Sequence, residues 1–593
     1  MVNPLQQRRD DASLAKKKSR NSEAMIAGLI CVYMFLTLGI APAGYVLLGL
    51  LASALTAFLL CRSIHLEKLL LYVIGIFLAY VSMIGFFLNL LQQELSLINL
   101  VWGLLSICVI LCVLLRQGKF KRPEIVFDLR RFATIACIFA VSFFFYLYPS
   151  LPSMTSPCTP GFDCSHHIEY SAGIYDKKEL VPPVDVWAYY PFGLHLNVAL
   201  LSEVFTSAVP SPTNFFYPFM ALMTALSLSA ACCILMDHKA GKAYVLLLAA
   251  LLMLSVFPAS ALIGYGFWAQ VYGTFYIILF FLALGDYRHR TERNIIYLLA
   301  LLCVAAYLGY QVLVAMPVIL GFALALLFTP EISRKARVYH FVLFFSVFAM
   351  VFCLSTYDNY RKYLTSEKDI FSDTPTGYAS IVMSYEQRHS INMESFQAFQ
   401  LTYRRLLEQQ GIILFFDAGR YGFLFIFLAM LALLRTGKYD AAFIYFVSII
   451  AEMAFFAWGL QERFVSLYYF SKISYIMIYP LLLYSVLGMG KVVDCWGIAE
   501  KPLKWRKIAA GLVSLSVVLV LAYATQLHAW SDKIFGIDKQ LFGDREKLIS
   551  TNYKDYTGWP LMSFNRIDYF YALTQARLPY NYTFSDWASG KKM

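Results

Sequence analysis

Charged residues are scarce in this chain of 593 residues: Asp, Glu, Lys and Arg make up 15% of it, and hydrophobic types make up 60%. Soluble globular domains have about 25% charged residues, so this composition excludes an ordinary water-soluble fold. Many apolar runs reach the length of about 20 residues that crosses a bilayer. The sequence therefore predicts an all-α polytopic membrane protein with about 13–15 transmembrane helices.

Several motifs of enzymes and pumps are also missing. There is no Walker A loop, which argues against an ATP-driven pump, and no Asp-x-Asp pair of the kind found in nucleotide-sugar transferases. Neither Gly-x-Ser-x-Gly nor His-Glu-x-x-His is present. The net charge of +12 comes mainly from Lys and Arg in short loops, which indicates membrane topology and not binding to nucleic acid.

Connections rich in Lys and Arg alternate with connections that have neither. The basic ones include 1–23, 62–68 and 116–131, whereas 91–96 carries no Lys or Arg. Because Lys and Arg collect in cytoplasmic loops, we expect the N-terminus in the cytoplasm and residues 150–212 on the outer face.

The same pattern divides the chain into parts and candidate spans. We expect a cytoplasmic tail (1–23), N-terminal transmembrane helices (24–131), a membrane core (132–526) with outer loops at 150–212 and 357–413, and an extracytoplasmic C-terminal segment (527–593). Apolar runs predict spans at 24–42, 44–61, 69–89, 97–115, 132–149, 213–235, 243–261, 268–285, 294–309, 311–328, 339–356, 414–434, 441–457, 468–488 and 508–526. The residues 41–43 are interpreted as the first outer connection.

The apolar stretch 193–209 is not expected to cross the membrane. Arg131 and Lys239 both lie in basic, cytoplasmic connections, so the chain between them must cross an even number of times. Two spans, 132–149 and 213–235, already supply these crossings. The stretch is therefore predicted to lie along the outer interface, or to dip in and return, and to roof a cavity between the spans.

The outer segment 157–195 concentrates the side chains that could carry chemistry. These are Asp163, His166, His167, Glu169 and His195. Asp163 could accept a proton from an acceptor hydroxyl, or it could cap a turn after Pro-Gly. If a helix begins after Asp163, His166 and His167 approach its face of the first turn, where they could orient the carboxylate, bind a phosphate or ligate a metal.

Two neighbouring stretches could contribute to the same cavity. YYPFGLH (189–195) places Pro191 at a helix start and His195 in the first or second turn, although it also fits an ordinary interfacial helix. GYGFWAQVYG (264–273) puts Trp268 and Gln270 at the outer mouth, where a simple aromatic anchor is the alternative.

Cys158 and Cys164 are the two of the twelve cysteines that fall in the predicted outer segments. An oxidising compartment and their close spacing across Pro-Gly predict a disulfide that would hold Asp163 on a tight loop. Two free thiols are the alternative. A zinc site with His166 and His167 is a further one, although the spacing matches no common zinc pattern.

Two cations lie near the outer end of the late spans. Arg463 stands at the boundary and Lys472 about two turns inside, where a cation costs roughly 2.5–3.5 kcal/mol to insert and so tends to have a partner. A lipid phosphate would satisfy both. Snorkelling, or pairing with Glu462 or Asp417, is the alternative.

The segments GFDCSHHIEYSAGI (161–174), YPFGLH (190–195) and ERF…YPLLLYSVLG (462–488) resemble the GT-C superfamily of integral-membrane glycosyltransferases, which use polyprenyl-phosphate-linked sugars. The likeness is greatest to bacterial members with an Asp followed by a His pair and then Tyr-Pro-x-Gly-x-His. It covers about residues 130–490 through short motifs.

The resemblance implies sugar transfer with inversion on the outer face of a bacterial inner membrane. Asp163 would be the general base, and Arg463 with Lys472 would hold the donor phosphate. His166, His167, Glu169, His195 and Gln270 are expected to bind substrate. The partners would be the lipid-linked donor, the bilayer and a glycan, lipid or protein acceptor. Some members use a divalent cation, and nothing in this sequence requires one.

Three other functions remain open at this point. An O-antigen polymerase or ligase would also have large outer loops with Arg and His. A lipid-linked sugar transporter or flippase should have ionisable groups near mid-span, whereas here they crowd the outer boundary. A non-catalytic membrane scaffold is the third.

Overall fold

The computed structural model describes the chain in separate stretches. These are residues 34, 39–61, 63–116, 124–129, 132–133, 135–136, 164–180, 192–204, 219–220, 222–227, 230, 268–290, 294–310, 312–329, 332–365, 441–461 and 476. At some of these positions, among them His166 and Glu169, the description covers the backbone alone.

Ten helices and two short strands are described. In chain order they are α1 (Ile40–Leu60), β1 (Ser63–His65), α2 (Leu66–Leu90), α3 (Leu97–Arg116), β2 (Glu124–Val126), α4 (Cys164–Lys177), α5 (Gly193–Val204), α6 (Trp268–Arg290), α7 (Ile295–Tyr310), α8 (Val312–Phe328), α9 (Arg334–Thr365) and α10 (Ala441–Gln461).

Six of these helices are long and apolar enough to cross a bilayer. They are α1, α2, α3, α6, α9 and α10, and two shorter apolar helices lie in α7 and α8. A helix of 20 residues rises about 30 Å, which equals the thickness of the hydrocarbon core. The expectation of a helical, polytopic membrane protein is confirmed for the described part of the chain. The count of about 13–15 spans stays a prediction.

One boundary differs from the prediction. The residues 41–43 lie in the first turn of α1, because the break falls at Gly39, whose φ of 87° suits glycine. Pro42 is tolerated there, since the first turn of a helix needs no donor from its N–H. The candidate span in α9 ends at Tyr357, close to the predicted end at 356, and the helix continues to Thr365.

A two-stranded parallel ladder was not predicted. It pairs Ser63 with Glu124, Ile64 with Ile125 and His65 with Val126. The strands belong to the two basic connections 62–68 and 116–131, which therefore lie side by side at one end of the bundle. Strands of three residues are too short to show an alternating pattern.

The opposite end of the bundle is marked by a bond between two other connections. The Leu95 N–H, in the stretch 91–96, donates to the carbonyl oxygen of Lys178 at 2.7 Å. Helix α2 separates this end from the strands by 25 residues, or about 37 Å. Both stretches were assigned to the outer face, so their meeting agrees with the charge alternation. Which end faces the cytoplasm stays a prediction.

Helix α6 lies at the centre of the described bundle, and its apolar span is almost entirely buried. On one face the Tyr276 hydroxyl donates to the Gly75 carbonyl oxygen of α2 at 3.2 Å. On another face Phe281 stacks on Tyr445 of α10, with ring centroids 4.4 Å apart. Helix α6 therefore separates the N-terminal helices from α10.

Helix α5 is described over 12 residues, which rise about 18 Å. Residues 205–209 lie outside the described part, so the expectation that 193–209 does not cross the membrane stays a prediction. The helix does not lie along a surface of the described bundle, however, because the residues from Gly193 to Leu200 are all buried. Its neighbours are α2, α4 and α7.

An ion pair joins the start of α2 to the end of α6. Lys68 Nζ lies 3.3 Å from Asp286 Oδ1, and the Tyr72 hydroxyl donates to the other carboxylate oxygen, also at 3.3 Å. The side chains of Lys68 and Asp286 are only 5% and 19% exposed. Because Tyr276 bonds to Gly75 further along, α2 and α6 run antiparallel.

The variant Asp286→Asn should lower the free energy of unfolding by about 3 kcal/mol, because it leaves the buried Lys68 ammonium without this carboxylate. The matched control is Glu203→Gln. It breaks the pair of Lys178 Nζ and Glu203 Oε2, 2.8 Å apart and 25% exposed on both sides, and exposed pairs contribute about 0–1 kcal/mol. Thermal unfolding of the full chain in detergent measures both. Equal losses would contradict the prediction.

The variant Gly193→Ala should lower Tm, because a Cβ there would lie 2.8 Å from the Leu308 carbonyl oxygen, a backbone atom that cannot swing aside. Gly44→Ala is the matched control, since the nearest atom to its Cβ would be 3.6 Å away. In a helix, Ala is more stable than Gly by about 1 kcal/mol. We therefore expect Tm shifts of opposite sign, and a shared sign would argue against close packing of α5 on α7.

Candidate functional site

The first helix of the candidate site starts directly after Asp163. Helix α4 begins at Cys164 and carries His166, His167 and Glu169 in its first two turns. The condition set by the sequence, a helix that follows Asp163, is therefore met. Asp163 itself lies outside the described residues.

Other predicted site residues also lie outside the described part. These are Cys158, Arg463 and Lys472, together with the side chains of Cys164, His166 and Glu169. The predicted disulfide between Cys158 and Cys164 therefore stays a prediction.

Two of the predicted residues meet in the bundle. His167 Nδ1 of α4 lies 2.9 Å from His195 Nε2 of α5, a hydrogen-bond distance. Their ring centroids are 5.1 Å apart, and the two residues are 1% and 0% exposed. The histidines of SHH and YPFGLH therefore form one buried pair, although 28 positions separate them in the chain.

Aromatic rings enclose this pair. Trp268, the first residue of α6, stacks on His167 with centroids 5.8 Å apart. Tyr170, one turn further along α4, packs on His195 with centroids 4.6 Å apart. Three helices thus meet at the two imidazoles.

The pair can hold and pass a proton. A neutral imidazole has one N–H donor and one acceptor nitrogen, so the facing nitrogens need opposite roles. The hydrogen bond therefore fixes complementary tautomers on the two rings. If both rings were charged, two like charges would face each other away from water at high energetic cost. At most one extra proton is expected on the pair.

A polar network around Asn197 anchors α5 in the bundle. The Asn197 Nδ2 group lies 2.7 Å from the Gly193 carbonyl oxygen, 3.0 Å from the Tyr272 hydroxyl and 3.1 Å from Ser82 Oγ. The Tyr272 hydroxyl lies 3.2 Å from that of Tyr276, which bonds to α2. The network ties α5 to α2 and α6 within two residues of His195.

Sequence reasoning missed Asn197. Its signal was a single amide within the apolar stretch LHLNVALL, where an unpaired polar group would be costly and so has to find partners.

An ion pair joins the C-terminal ends of α4 and α5. Lys178 Nζ donates to Glu203 Oε2 at 2.8 Å and lies 4.8 Å from the ring centre of Tyr175. Partial burial raises the pKa of Asp176 above its ordinary value, and the Lys178 ammonium opposes the rise. These contacts lie at the end of α4 opposite the histidine pair.

Gln270 is buried on α6 but is not brought to the histidine pair. It follows Trp268 by two residues, which places it about 200° around the helix from the ring that stacks on His167. It shares the face that carries Phe281 toward α10. Its proposed contact with substrate stays a prediction.

Neither protein-family models nor curated proteins give a match to this chain. The GT-C resemblance therefore depends on the quoted motifs. The structure adds one fact to it, which is that His167 and His195 of two of those motifs are hydrogen-bonded.

No group of three or more His, Cys, Asp or Glu able to hold a metal occurs among the described residues. The histidine pair offers two nitrogens, and a zinc site usually takes three or four protein ligands. The zinc alternative with Cys158, Cys164 and His166 concerns side chains outside the described part.

The variants His167→Phe and His195→Phe should each lower the free energy of unfolding by about 1–3 kcal/mol, because each leaves the other buried ring without this partner. The double variant should cost less than the sum, since it removes both polar groups together. A double-mutant cycle on thermal unfolding measures the coupling.

His167→Phe combined with Asp286→Asn is the control for this cycle. The two sites lie at opposite ends of α6, so their effects should add within about 0.5 kcal/mol. Additive effects for the two histidines would contradict a coupled pair.

Proposed function

We propose that the chain is a GT-C-type glycosyltransferase that moves a sugar from a polyprenyl-phosphate donor to a cell-envelope acceptor on the outer face. The observation that supports this most is the bond between His167 and His195 at 2.9 Å. It joins the two motifs, SHHIEYSAG and YPFGLH, on which the resemblance depends.

Asp163 is the proposed general base. It immediately precedes α4, whose position is fixed through His167 by α5 and Trp268. The carboxylate takes the proton of the acceptor hydroxyl while that oxygen bonds to the anomeric carbon. The bond from this carbon to the phosphate oxygen breaks, and the polyprenyl phosphate leaves with the electron pair. Attack from the opposite side inverts the anomeric centre.

The course of α10 supports a donor-binding role for Arg463. Ala441 begins α10 near Gly285, at the end of α6, and Tyr445 stacks on Phe281. The two helices are therefore antiparallel, and α10 ends at Gln461 toward the Trp268 end of α6. Arg463 follows two residues later, so the chain leaves α10 at the end where the histidine pair lies. Arg463 and Lys472 would stabilise the charge on the leaving phosphate.

Burial favours a positioning role for the two described histidines. His167 and His195 are buried and enclosed by Trp268 and Tyr170. This burial suits residues that fix the position of α4 better than residues that contact a sugar directly. His166 and Glu169, on the same helix, are the better candidates for direct contact with substrate.

One observation favours the transporter alternative. Ionisable groups do not all crowd the outer boundary, because Glu452 is buried in the middle of α10. An acid at mid-span is typical of ion and proton pathways. The polymerase or ligase alternative has no described residue that distinguishes it from the transferase.

The variant Asp163→Asn should reduce sugar transfer by about 10²–10⁴-fold, the usual contribution of a general base. Asp176→Asn is the matched control, since it removes an acid near the C-terminal end of α4 and should leave transfer near the wild-type rate. Transfer is measured as restoration of the surface glycan when each full-length variant is returned to a deletion strain.

Protein level in the membrane is measured alongside. Wild-type glycan with Asp163→Asn at normal protein level would contradict the catalytic assignment. Accumulation of lipid-linked sugar on the inner face of the deletion strain would favour the transporter.

A further inference from the structure

Glu452 lies deep in an apolar span. It follows the start of α10 by eleven residues, or about 16 Å, close to the middle of a hydrocarbon core of about 30 Å. The residue is 0% exposed, and neither carboxyl oxygen has a hydrogen-bond partner among the described residues.

The side of α10 that carries Glu452 faces α6 and α8. Ala441, Tyr445, Ser448 and Glu452 recur at the spacing of one helical face. Tyr445 stacks on Phe281 of α6, and the Ser448 hydroxyl lies next to Gly321 of α8. Glu452 continues this stripe by one turn.

Helix α6 presents two buried polar residues on the opposing stripe. Gly285, Phe281, Thr274 and Gln270 share one face of α6 by their spacing. The two helices are antiparallel, and Phe281 stacks on Tyr445. Glu452 is seven residues after Tyr445 and Thr274 is seven residues before Phe281, so Glu452 and Thr274 are level. Thr274 and Gln270 are both buried. Glu452 and Thr274 are therefore level between α6 and α10, and Gln270 lies on the same face of α6 one turn, about 6 Å, away. We call these three residues the polar layer.

Helix α8 adds a backbone acceptor within one turn of Glu452. Its end lies beside the end of α6, where Arg288 donates to the Phe328 carbonyl oxygen at 3.3 Å, so α8 is antiparallel to α10. Gly321 is level with Ser448, which makes Pro317 level with Glu452. A proline has no N–H, so the carbonyl of Leu313 has no helical donor.

No described cation faces this layer. Helix α8 contains no titratable residue. On α6, Tyr272 and Tyr276 face α2 and α5, whereas Asp286, Tyr287 and Arg288 lie at least twelve residues from Thr274, or about 18 Å. Tyr445 is the nearest titratable side chain described on α10. A carboxylate buried without a counter-charge is so costly that the group takes up a proton instead.

We propose that Glu452 is a proton-binding site in the bilayer interior, forming a polar layer with Gln270 and Thr274 on the face of α6 opposite the histidine pair. At rest the site holds a neutral carboxylic acid. Thr274, whose hydroxyl donates to the Gln270 carbonyl oxygen at 2.7 Å, keeps lone pairs that can accept the acid's proton in a hydrogen bond. The proposal does not depend on the glycosyltransferase function.

A hydrophobic carbodiimide tests the protonation state directly. The acid's proton moves to a carbodiimide nitrogen, the carboxyl oxygen bonds to the carbodiimide carbon, and an acyl shift leaves a stable N-acylurea on the side chain. The full chain in lipid nanodiscs is treated with dicyclohexylcarbodiimide at pH 7, and peptides are analysed by mass spectrometry. We expect labelling at Glu452 that falls at high pH.

Asp286 is the matched control within the same molecule. It is also largely buried on a central helix, but a cation, Lys68 Nζ, lies 3.3 Å from its carboxyl group. Labelling at Glu452 should exceed labelling at Asp286 several-fold. Protection of Glu452 by sodium chloride but not by choline chloride would overturn the proton assignment and indicate a metal-cation site.

Infrared spectra decide the result if the reagent fails to reach the site. The wild-type chain at pH 7 should show the carbonyl band of a protonated carboxylic acid that the Glu452→Gln variant lacks, with Tm unchanged because the amide matches the neutral acid in shape. A carboxylate band lost in the variant, together with a lower Tm, would show an ionised Glu452 and overturn the proposal.

Discussion

A bilayer interior has no water, so each polar group buried there must bond to the protein or lose its charge. Most of the specific contacts in the described bundle follow from this constraint. Lys68 meets Asp286, Asn197 meets two hydroxyls and a carbonyl, and His167 meets His195. Each contact joins different helices or fixes the position of a short one. The polar residues therefore determine which helices are neighbours, and the apolar residues provide most of the buried contact area.

Helix α6 contributes side chains to several of these buried polar contacts. Trp268 and Tyr272 face the histidines and Asn197, and Asp286 closes the same side at the far end. The other side carries Gln270 and Phe281 toward α10. One helix therefore separates two polar sites that share no described side chain. Substitutions at one site should change stability independently of substitutions at the other.

The parts of the fold that were predictable are those encoded in local pattern. Apolar runs predicted the helices α2, α6, α7 and α8 with ends that agree to within a few residues. The interpretation of 193–209 as a stretch that does not span stays a prediction. The helix after Asp163 was stated as a condition and is present. These successes depend on periodicity and length, which a single sequence shows.

The remaining features depend on which helices meet, and a single sequence does not show that. The contact of His167 with His195 needs two helices placed side by side, and the face of Gln270 is defined only relative to α10. Asn197 and Glu452 are each a single polar residue in an apolar run of the sequence. Their importance is evident only from the structure, which shows that both are buried. The β1–β2 ladder joins connections that α2 and α3 separate.

The contacts of His167 also have an order in time. Its partners, His195 and Trp268, are both encoded after it, and Trp268 emerges from the ribosome about a hundred residues later. The N-terminal end of α4, which carries His167, therefore has neither of these partners until the later segments are synthesised and inserted. The packing of α4 against α5 and α6 is therefore a late step of biogenesis.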